Sequence, residues 1–258
     1  MSNSHPADRK VCLIIPCYNE AGRINLQSFR DFLQFDHDTF LLFVDDGSKD
    51  NTSDVLERLA VDFPNVAHVL RLPQNRGKAE AVRHGILYAL DRIQPEIIGF
   101  WDADLATPLN ALNDFLAILV VKPEIEMVFG ARVQLLGRHV QRSATRHYLG
   151  RIFATTVSVA LRLAIYDTQC GAKLFRVTSG TRQIFAEPFL SKWVFDVEII
   201  ARYHQLFFRE SRRLSDVIYE FPLERWTDVA GSKVQPADFF IAFRDVFRIW
   251  RKYKTGSA

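Results

Sequence analysis

Two aspartates spaced i, i+2 close an apolar run, Ile97-Ile98-Gly99-Phe100-Trp101-Asp102-Ala103-Asp104. The run reads as a buried strand. On a strand such side chains share one face, and on the tight turn after it both can reach one cation. Hard divalent cations take oxygen ligands, and Mg²⁺ uses one or two carboxylates together with substrate phosphates. The pair therefore suggests a metal that grips a diphosphate at the carboxyl edge of a sheet. A second pair of the same spacing, Asp36-His37-Asp38, lies in a polar loop with no strand before it and reads as solvated surface.

What distinguishes the two pairs is the element that carries each. Val11–Ile15, Phe40–Val44, Val66–Leu70, Ile97–Trp101 and Met127–Gly130 read as strands, being short, apolar and β-branched or aromatic. Arg23–Leu33, Thr52–Val61, Lys78–Asp91 and Pro108–Val120 repeat apolar residues at helical spacing. The alternation predicts an α/β fold with a mostly parallel central sheet flanked by helices. Three of the four strand-to-helix junctions are polar or acidic: Tyr18-Asn19-Glu20, Asp45-Asp46-Gly47-Ser48 and Asp102-Ala103-Asp104. Ligands of open α/β sheets sit at the carboxyl ends of the strands, so these loops should line one crevice.

After Arg132 the pattern changes. A basic loop (Arg132, Arg138, His139, Arg142, Arg146) leads into a long helical pattern through Leu163, then a strand at Lys173–Arg176, a helix near Phe195–Phe207 and a strand near Val217–Phe221. The tail Asp238–Lys254 is a basic amphipathic helix with Phe239, Phe243, Val246, Trp250 and Tyr253 on one face. Residues 1–9 read as a disordered N-terminus, 10–236 as the main domain and 237–258 as the tail. The 258 residues are 48% hydrophobic, enough for a substantial core, and the net charge of +3 is too mild to argue for nucleic acid. No secretory signal is legible, and no apolar stretch approaches the roughly 20 residues of a spanning helix. Three cysteines fit neither a disulfide framework nor a CxxC metal site, so a cytoplasmic setting is expected.

In their order, Ile15-Pro16-Cys17-Tyr18-Asn19-Glu20, Val44-Asp45-Asp46-Gly47-Ser48-Lys49-Asp50, Asn75-Arg76-Gly77-Lys78 and Asp102-Ala103-Asp104 resemble family 2 glycosyltransferases. Asp167-Thr168-Gln169-Cys170-Gly171-Ala172-Lys173-Leu174-Phe175 and Trp193-Val194-Phe195-Asp196-Val197-Glu198 are similar to the branch that makes polyprenyl-phosphate sugars, dolichyl-phosphate glucosyltransferases among them. The resemblance spans about residues 11 to 235 and implies a single GT-A, nucleotide-diphospho-sugar transferase domain. It implies that Pro16, Tyr18 and Glu20, with Asp45 or Asp46, hold the nucleoside. It also implies that Lys78 contacts the diphosphate or sugar pocket, and that Asp102 and Asp104 hold Mg²⁺ or Mn²⁺ within the donor-binding segment Asp102-Ala103-Asp104. Asp167 and Gln169 would orient the sugar, Asp196 would face the reacting centre, and Cys170 would be a packed residue. Plainer readings stand beside these. Asp45-Asp46-Gly47-Ser48 also suits a turn with a helix N-cap, Lys78 an exposed helix lysine, and Asp167–Gly171 a strand-entry turn.

The acceptor decides how much a base matters. A sugar hydroxyl must lose its proton during attack, which calls for a positioned carboxylate. A lipid monophosphate is already anionic, its second pKa being about 6. Arg132, Arg142 and Arg146 suit such an acceptor, because guanidinium forks bind phosphate bidentately, although surface solubility also explains single arginines. The expectation is an inverting, metal-dependent transfer of a hexose, foremost glucose from UDP-glucose, onto a dolichyl or undecaprenyl phosphate by a chain peripheral to a membrane. The alternative is a family 2 transfer to a sugar hydroxyl of a glycan or lipid-linked saccharide, or use of GDP-mannose. A nucleotidyltransferase would open with a Gly-rich basic loop where Pro16-Cys17-Tyr18-Asn19-Glu20 stands. A pure binding module has no need of Asp102, Asp104, Asp196 and Glu198 together. The tail helix could lie on anionic lipid or pack on the domain.

Overall fold

A computed structural model describes residues 10–36, 38–141, 144–209, 212–229 and 236–253, without the side chains of 144–147, 209 and 236–239. In chain order the elements are β1 (Val11–Cys17), α1 (Leu26–Phe35), β2 (Thr39–Asp45), α2 (Thr52–Asp62), β3 (Ala67–Arg71), α3 (Lys78–Arg92), β4 (Ile97–Trp101), α4 (Ala111–Val121), β5 (Met127–Ala131), β6 (His139–Gln141), α5 (Ala144–Leu161), β7 (Ala172–Arg176), α6 (Ser179–Ala186), α7 (Phe195–Arg209), β8 (Ile218–Pro222), β9 (Arg225–Thr227) and α8 (Pro236–Lys252). By contacts the chain falls into two compact units. The first holds Met1–Leu105 and Ala172–Pro188, the second Ala106–Gly171 and Phe189–Ala258. The expected N-terminal disorder at 1–9 lies outside the described residues, as do His37 and Arg142.

The first unit is the predicted alternation of strand and helix. Its strands run in the order β3-β2-β1-β4-β7. β1 pairs with β2 and β4, and β2 with β3, all parallel, while β7 runs antiparallel to β4. Helices on both faces of a parallel sheet require strands apolar throughout. β2 is buried at every position, and β1 at every position except Pro16. Ile14, Leu42 and Phe43 are fully enclosed, each contributing about 1.5–3 kcal/mol through burial. α3 lies against this sheet at Gly85, where a Cβ would sit 2.5 Å from the Ile14 side chain and 2.8 Å from that of Val44. α1 begins at Leu26, later than its apolar spacing suggests, because the Asn25 side chain accepts the Ser28 N–H and sets the N-cap.

In the second unit β5 pairs in parallel with β8, and β6 with β9. α4 starts at Ala111 rather than Pro108, since Pro108 to Ala111 closes as a turn through the Ala111 N–H. β6 and β9 have three residues each, too few for a period of two to declare itself, and neither is expected from sequence. In the first unit α6, of eight residues, is likewise unexpected. α8 packs Ala242, Val246 and Ile249 inward, and Phe243 meets Phe153 of α5 with ring centroids 5.8 Å apart. Among the described residues no helix is long and apolar enough to cross a membrane.

Candidate active site

In the first unit the loops after β1, β2, β3 and β4 are joined by side chains of the predicted residues. The Asn19 N–H donates to Ser48 Oγ (3.0 Å), and Asn19 Oδ1 accepts the Lys49 N–H (2.8 Å). The Glu20 N–H reaches Thr52 Oγ1 at 2.8 Å, and its carboxylate takes Arg23 Nε at 2.5 Å. Asp45 accepts the Ser48 N–H (3.0 Å) and the Ser53 hydroxyl. Asp46 accepts the Arg76 and Gly77 N–H groups at 2.9 and 2.7 Å, tying the β2 loop to the start of α3. Lys78, the first residue of α3, places Nζ 2.5 Å from Asp102 Oδ1 and 5.9 Å over the Phe100 ring.

This geometry qualifies the expectation for the doubled acid. Asp45 and Asp46 are buried and shape the loops, as the turn reading proposed, whereas the N-cap of α2 is Asn51 rather than either acid. A carboxylate has about four lone-pair sites, and Asp45 accepts two bonds here, from the Ser48 N–H and the Ser53 hydroxyl. The turns themselves are tight: Asn19 has φ +52° and Leu105 φ +53°, a region disfavoured for side-chain-bearing residues. Gly47, at φ +65°, is required, since a Cβ there would lie 2.5 Å from the Gln74 carbonyl carbon. Pro16, Tyr18, Asp102 and Asp104 are half-buried, whereas Ala103 between the aspartates is buried. Asp36, of the rejected second pair, serves its own turn by accepting the Asp38 and Thr39 N–H groups.

The second unit brings Asp167 and Arg132 together, a pairing the sequence did not suggest. Asp167 accepts Arg132 Nε at 2.5 Å, Nη2 at 2.8 Å and its backbone N–H at 3.1 Å, and also the Gln169 N–H. The Arg132 guanidinium lies 5.3 Å over the Trp226 ring. Asp167 is thus committed to fixing an arginine rather than standing open toward a sugar. Gln169 Nε2 is buried with no hydrogen-bond partner among the described residues, so it can still donate to a ligand. Arg142 lies outside the described residues and Arg146's side chain is not described. Asp196 is buried in the first turn of α7, where the helix dipole favours a carboxylate. Glu198 is fully enclosed and takes Arg202 Nη2 (2.8 Å), the Tyr253 hydroxyl (2.8 Å) and the Leu190 N–H (2.7 Å). Of the two acids in Asp196-Val197-Glu198, Glu198 is a packing residue. Cys170 is fully buried beside Thr107, as expected of a packed side chain.

Sequence reasoning missed Glu220 and Lys173. Glu220, in β8, accepts the Tyr166 N–H at 2.9 Å and the Asp167 N–H at 2.6 Å, so it anchors the loop that presents Asp167. Burial pushes its pKa up against the pull of these N–H groups, and Asp167 adds to the rise. Lys173 of β7, in the first unit, has no exposed surface and carries Nζ 5.4 Å over the Phe100 ring. In each case the signal was a charge between apolar or aromatic neighbours within a strand.

Carboxylates at the ends of β1, β2 and β4, beside the N-terminus of α3, can bind an oxygen-ligated cation and a diphosphate. A guanidinium held by a buried acid can receive an anion. Residues 12–179 match the family described as Glycosyl transferase family 2. A dolichyl-phosphate beta-glucosyltransferase of Dictyostelium discoideum is 31% identical over 99% of this chain and 79% of its own length. The dolichyl-phosphate beta-glucosyltransferase of Homo sapiens is 31% identical over 96% of this chain and 77% of its own. Among solved structures, glucosyl-3-phosphoglycerate synthase from Mycobacterium tuberculosis, in complex with Mn²⁺, UDP-glucose and phosphoglyceric acid, superposes with a TM-score of 0.65. It is 18% identical, over 98% of this chain and 82% of that one, and so speaks to the fold alone. The chain belongs to glycosyl transferase family 2 and is a glycosyltransferase.

Proposed function

We propose that this glycosyltransferase moves glucose from UDP-glucose onto a polyprenyl phosphate, with inversion at the anomeric carbon. The observation that carries the reading is the Arg132 fork, held by Asp167 and stacked on Trp226. As a fixed cation it suits an anionic acceptor, and it cannot serve as a base for a hydroxyl. The names of the two relatives, both dolichyl-phosphate beta-glucosyltransferases, support the same acceptor and sugar.

Asp102 and Asp104 fit a divalent cation by donor chemistry, offering only oxygen atoms on one half-exposed turn. Among the described residues no cluster of three or more His, Cys, Asp or Glu side chains could hold a metal alone. The diphosphate of the donor would therefore complete the coordination, as is usual for Mg²⁺ and Mn²⁺ sites on nucleotides. When bound, the cation would supply Lewis-acid stabilisation of the departing nucleoside diphosphate.

The remaining work falls to the chain. Tyr18 and Glu20, with Asp45 and Asp46 behind them, would hold the nucleoside. Lys78 and the N–H groups opening α3 would hold the diphosphate. Arg132 would bind the acceptor phosphate, with Arg142 and Arg146 as further cations. Gln169 would donate to the sugar, and Asp196 would face the reacting centre. An acceptor oxygen, already deprotonated, forms its bond to C1 as the bond from C1 to the diphosphate oxygen breaks, so no proton need be removed. With such an acceptor the chain would work peripherally at a membrane, on the cytoplasmic face.

The test uses the full chain with Mn²⁺ or Mg²⁺, labelled UDP- and GDP-sugars, and either short polyprenyl phosphates or free glycans. Label should enter the organic phase only with UDP-glucose and a phosphorylated lipid. Nucleotide release that requires a glycan hydroxyl instead would make Asp196 a base and sink the phosphate acceptor.

A further inference from the structure

α8 packs one face on the second unit through Ala242, Val246 and Ile249. The opposite face should be polar if it only met water. Instead Phe240, Arg244, Phe247 and Arg251 recur there at helical spacing, with Arg248 beside them. Phe240 is 81% exposed and Phe247 57%. The neighbouring α5 shows the same departure. Its exposed positions from Tyr148 to Val159 carry no charge and include Ile152 (58% exposed) and Val159 (73%). Two packed helices of one unit thus turn aromatic and aliphatic side chains outward, and one of them interleaves these with arginines.

We infer that the outward faces of α5 and α8 form a docking surface for an anionic phospholipid bilayer, with Phe240, Phe247 and Ile152 entering the interface and Arg244, Arg248 and Arg251 meeting headgroup phosphates. The charge pattern selects this occupant. Large apolar side chains flanked by cations suit the headgroup boundary of anionic lipid. A second copy of the chain would set arginine against arginine, a like-charge contact that disfavours pairing. The face gives a place to the membrane association proposed above, and its purpose rests on the lipid-acceptor reading, although its geometry does not.

Flotation of the full chain with vesicles tests the surface directly. Wild type should float with vesicles of phosphatidylcholine mixed with phosphatidylglycerol, and far less with phosphatidylcholine alone or in high salt. Arg251→Gln should weaken binding to the anionic vesicles by about fivefold, and Arg244→Gln/Arg248→Gln by less per arginine, because both share the Asp245 carboxylate at 3.2 and 3.4 Å. Phe240→Ser/Phe247→Ser should abolish flotation while leaving turnover with a short, water-soluble polyprenyl phosphate at wild-type level. Should that variant unfold, Ile152→Ser/Val159→Ser on α5 gives an independent reading of the same surface. Unchanged flotation in folded variants of both helices would overturn the proposal. So would a wild-type dimer that the Phe substitutions dissociate and that does not float. Loss of the acceptor reading is a separate result, because a chain that transfers to no phosphorylated lipid could still float.

Discussion

The two units use buried acids differently. In the first, Asp45 and Asp46 spend their hydrogen bonds on backbone N–H groups and a hydroxyl, which sets the shape of the loops and leaves Asp102 and Asp104 half-exposed at the strand edge. In the second, Asp167 and Glu198 are spent on guanidinium groups, Arg132 and Arg202. The first arrangement makes an acidic edge that attracts a cation. The second fixes the direction of a cation that can attract an anion. The proposed transfer, from a metal-bound diphosphate to an anionic acceptor, would use both kinds of charge.

Substitutions can break this contrast, and the largest effect should come from the acidic edge. Asp104→Ala should lower turnover by roughly a thousandfold, the several kcal/mol a metal supplies to a leaving group. Radiolabel transfer with saturating donor measures it, and near-wild-type activity would remove the carboxylate-held cation from the account. Arg132→Lys keeps the charge but loses the fork. It should raise the KM for the lipid phosphate by roughly ten- to a hundredfold, in line with about 1.5–3 kcal/mol for a charged hydrogen bond, and leave the KM for the nucleotide sugar unchanged. A shift in the donor KM instead would assign Arg132 to the other substrate.

The smallest effect should be on stability alone. Tyr253→Phe removes the hydroxyl that donates to Glu198 and should cost about 1–2 kcal/mol, read as a lower Tm with unchanged kcat. Burial, reinforced by the nearby Glu198 charge, pushes the Tyr253 pKa up to about 12 from 10.0. An acid whose pKa is raised by folding contributes stability that is fully present below the unfolded value and lost as pH climbs through the folded one. The difference in Tm between wild type and Tyr253→Phe should therefore shrink between pH 10 and 12. A kcat that fell with Tm still intact would return Glu198 to the catalytic candidates.

Residues 11–105 of the first unit were legible almost residue by residue, whereas α6 in its second segment was not. Parallel strands must be apolar on both faces, so β1, β2 and β4 announce themselves as continuous runs, and the ligand-binding loops follow at fixed ends of those runs. Asp102 and Asp104 stood out for that reason, while Asp36-His37-Asp38 did not. The second unit was harder to read. β6 and β9 are too short to show a period, and Glu220 became an anchor only because folding set it against the N–H groups of Tyr166 and Asp167, far away in sequence.

By itself the sequence determined the fold class, the family and the acidic strand ends, because alternation, turn chemistry and motif order are local properties. Tertiary structure alone decided what each charge does. Asp167 holds Arg132 across 35 positions of sequence, Glu198 meets Tyr253 across 55, and Phe240 lies exposed while Ile249 on the same helix is fully buried. Carboxylates act through the donors around them, and those donors are assembled by packing between elements that no local pattern connects.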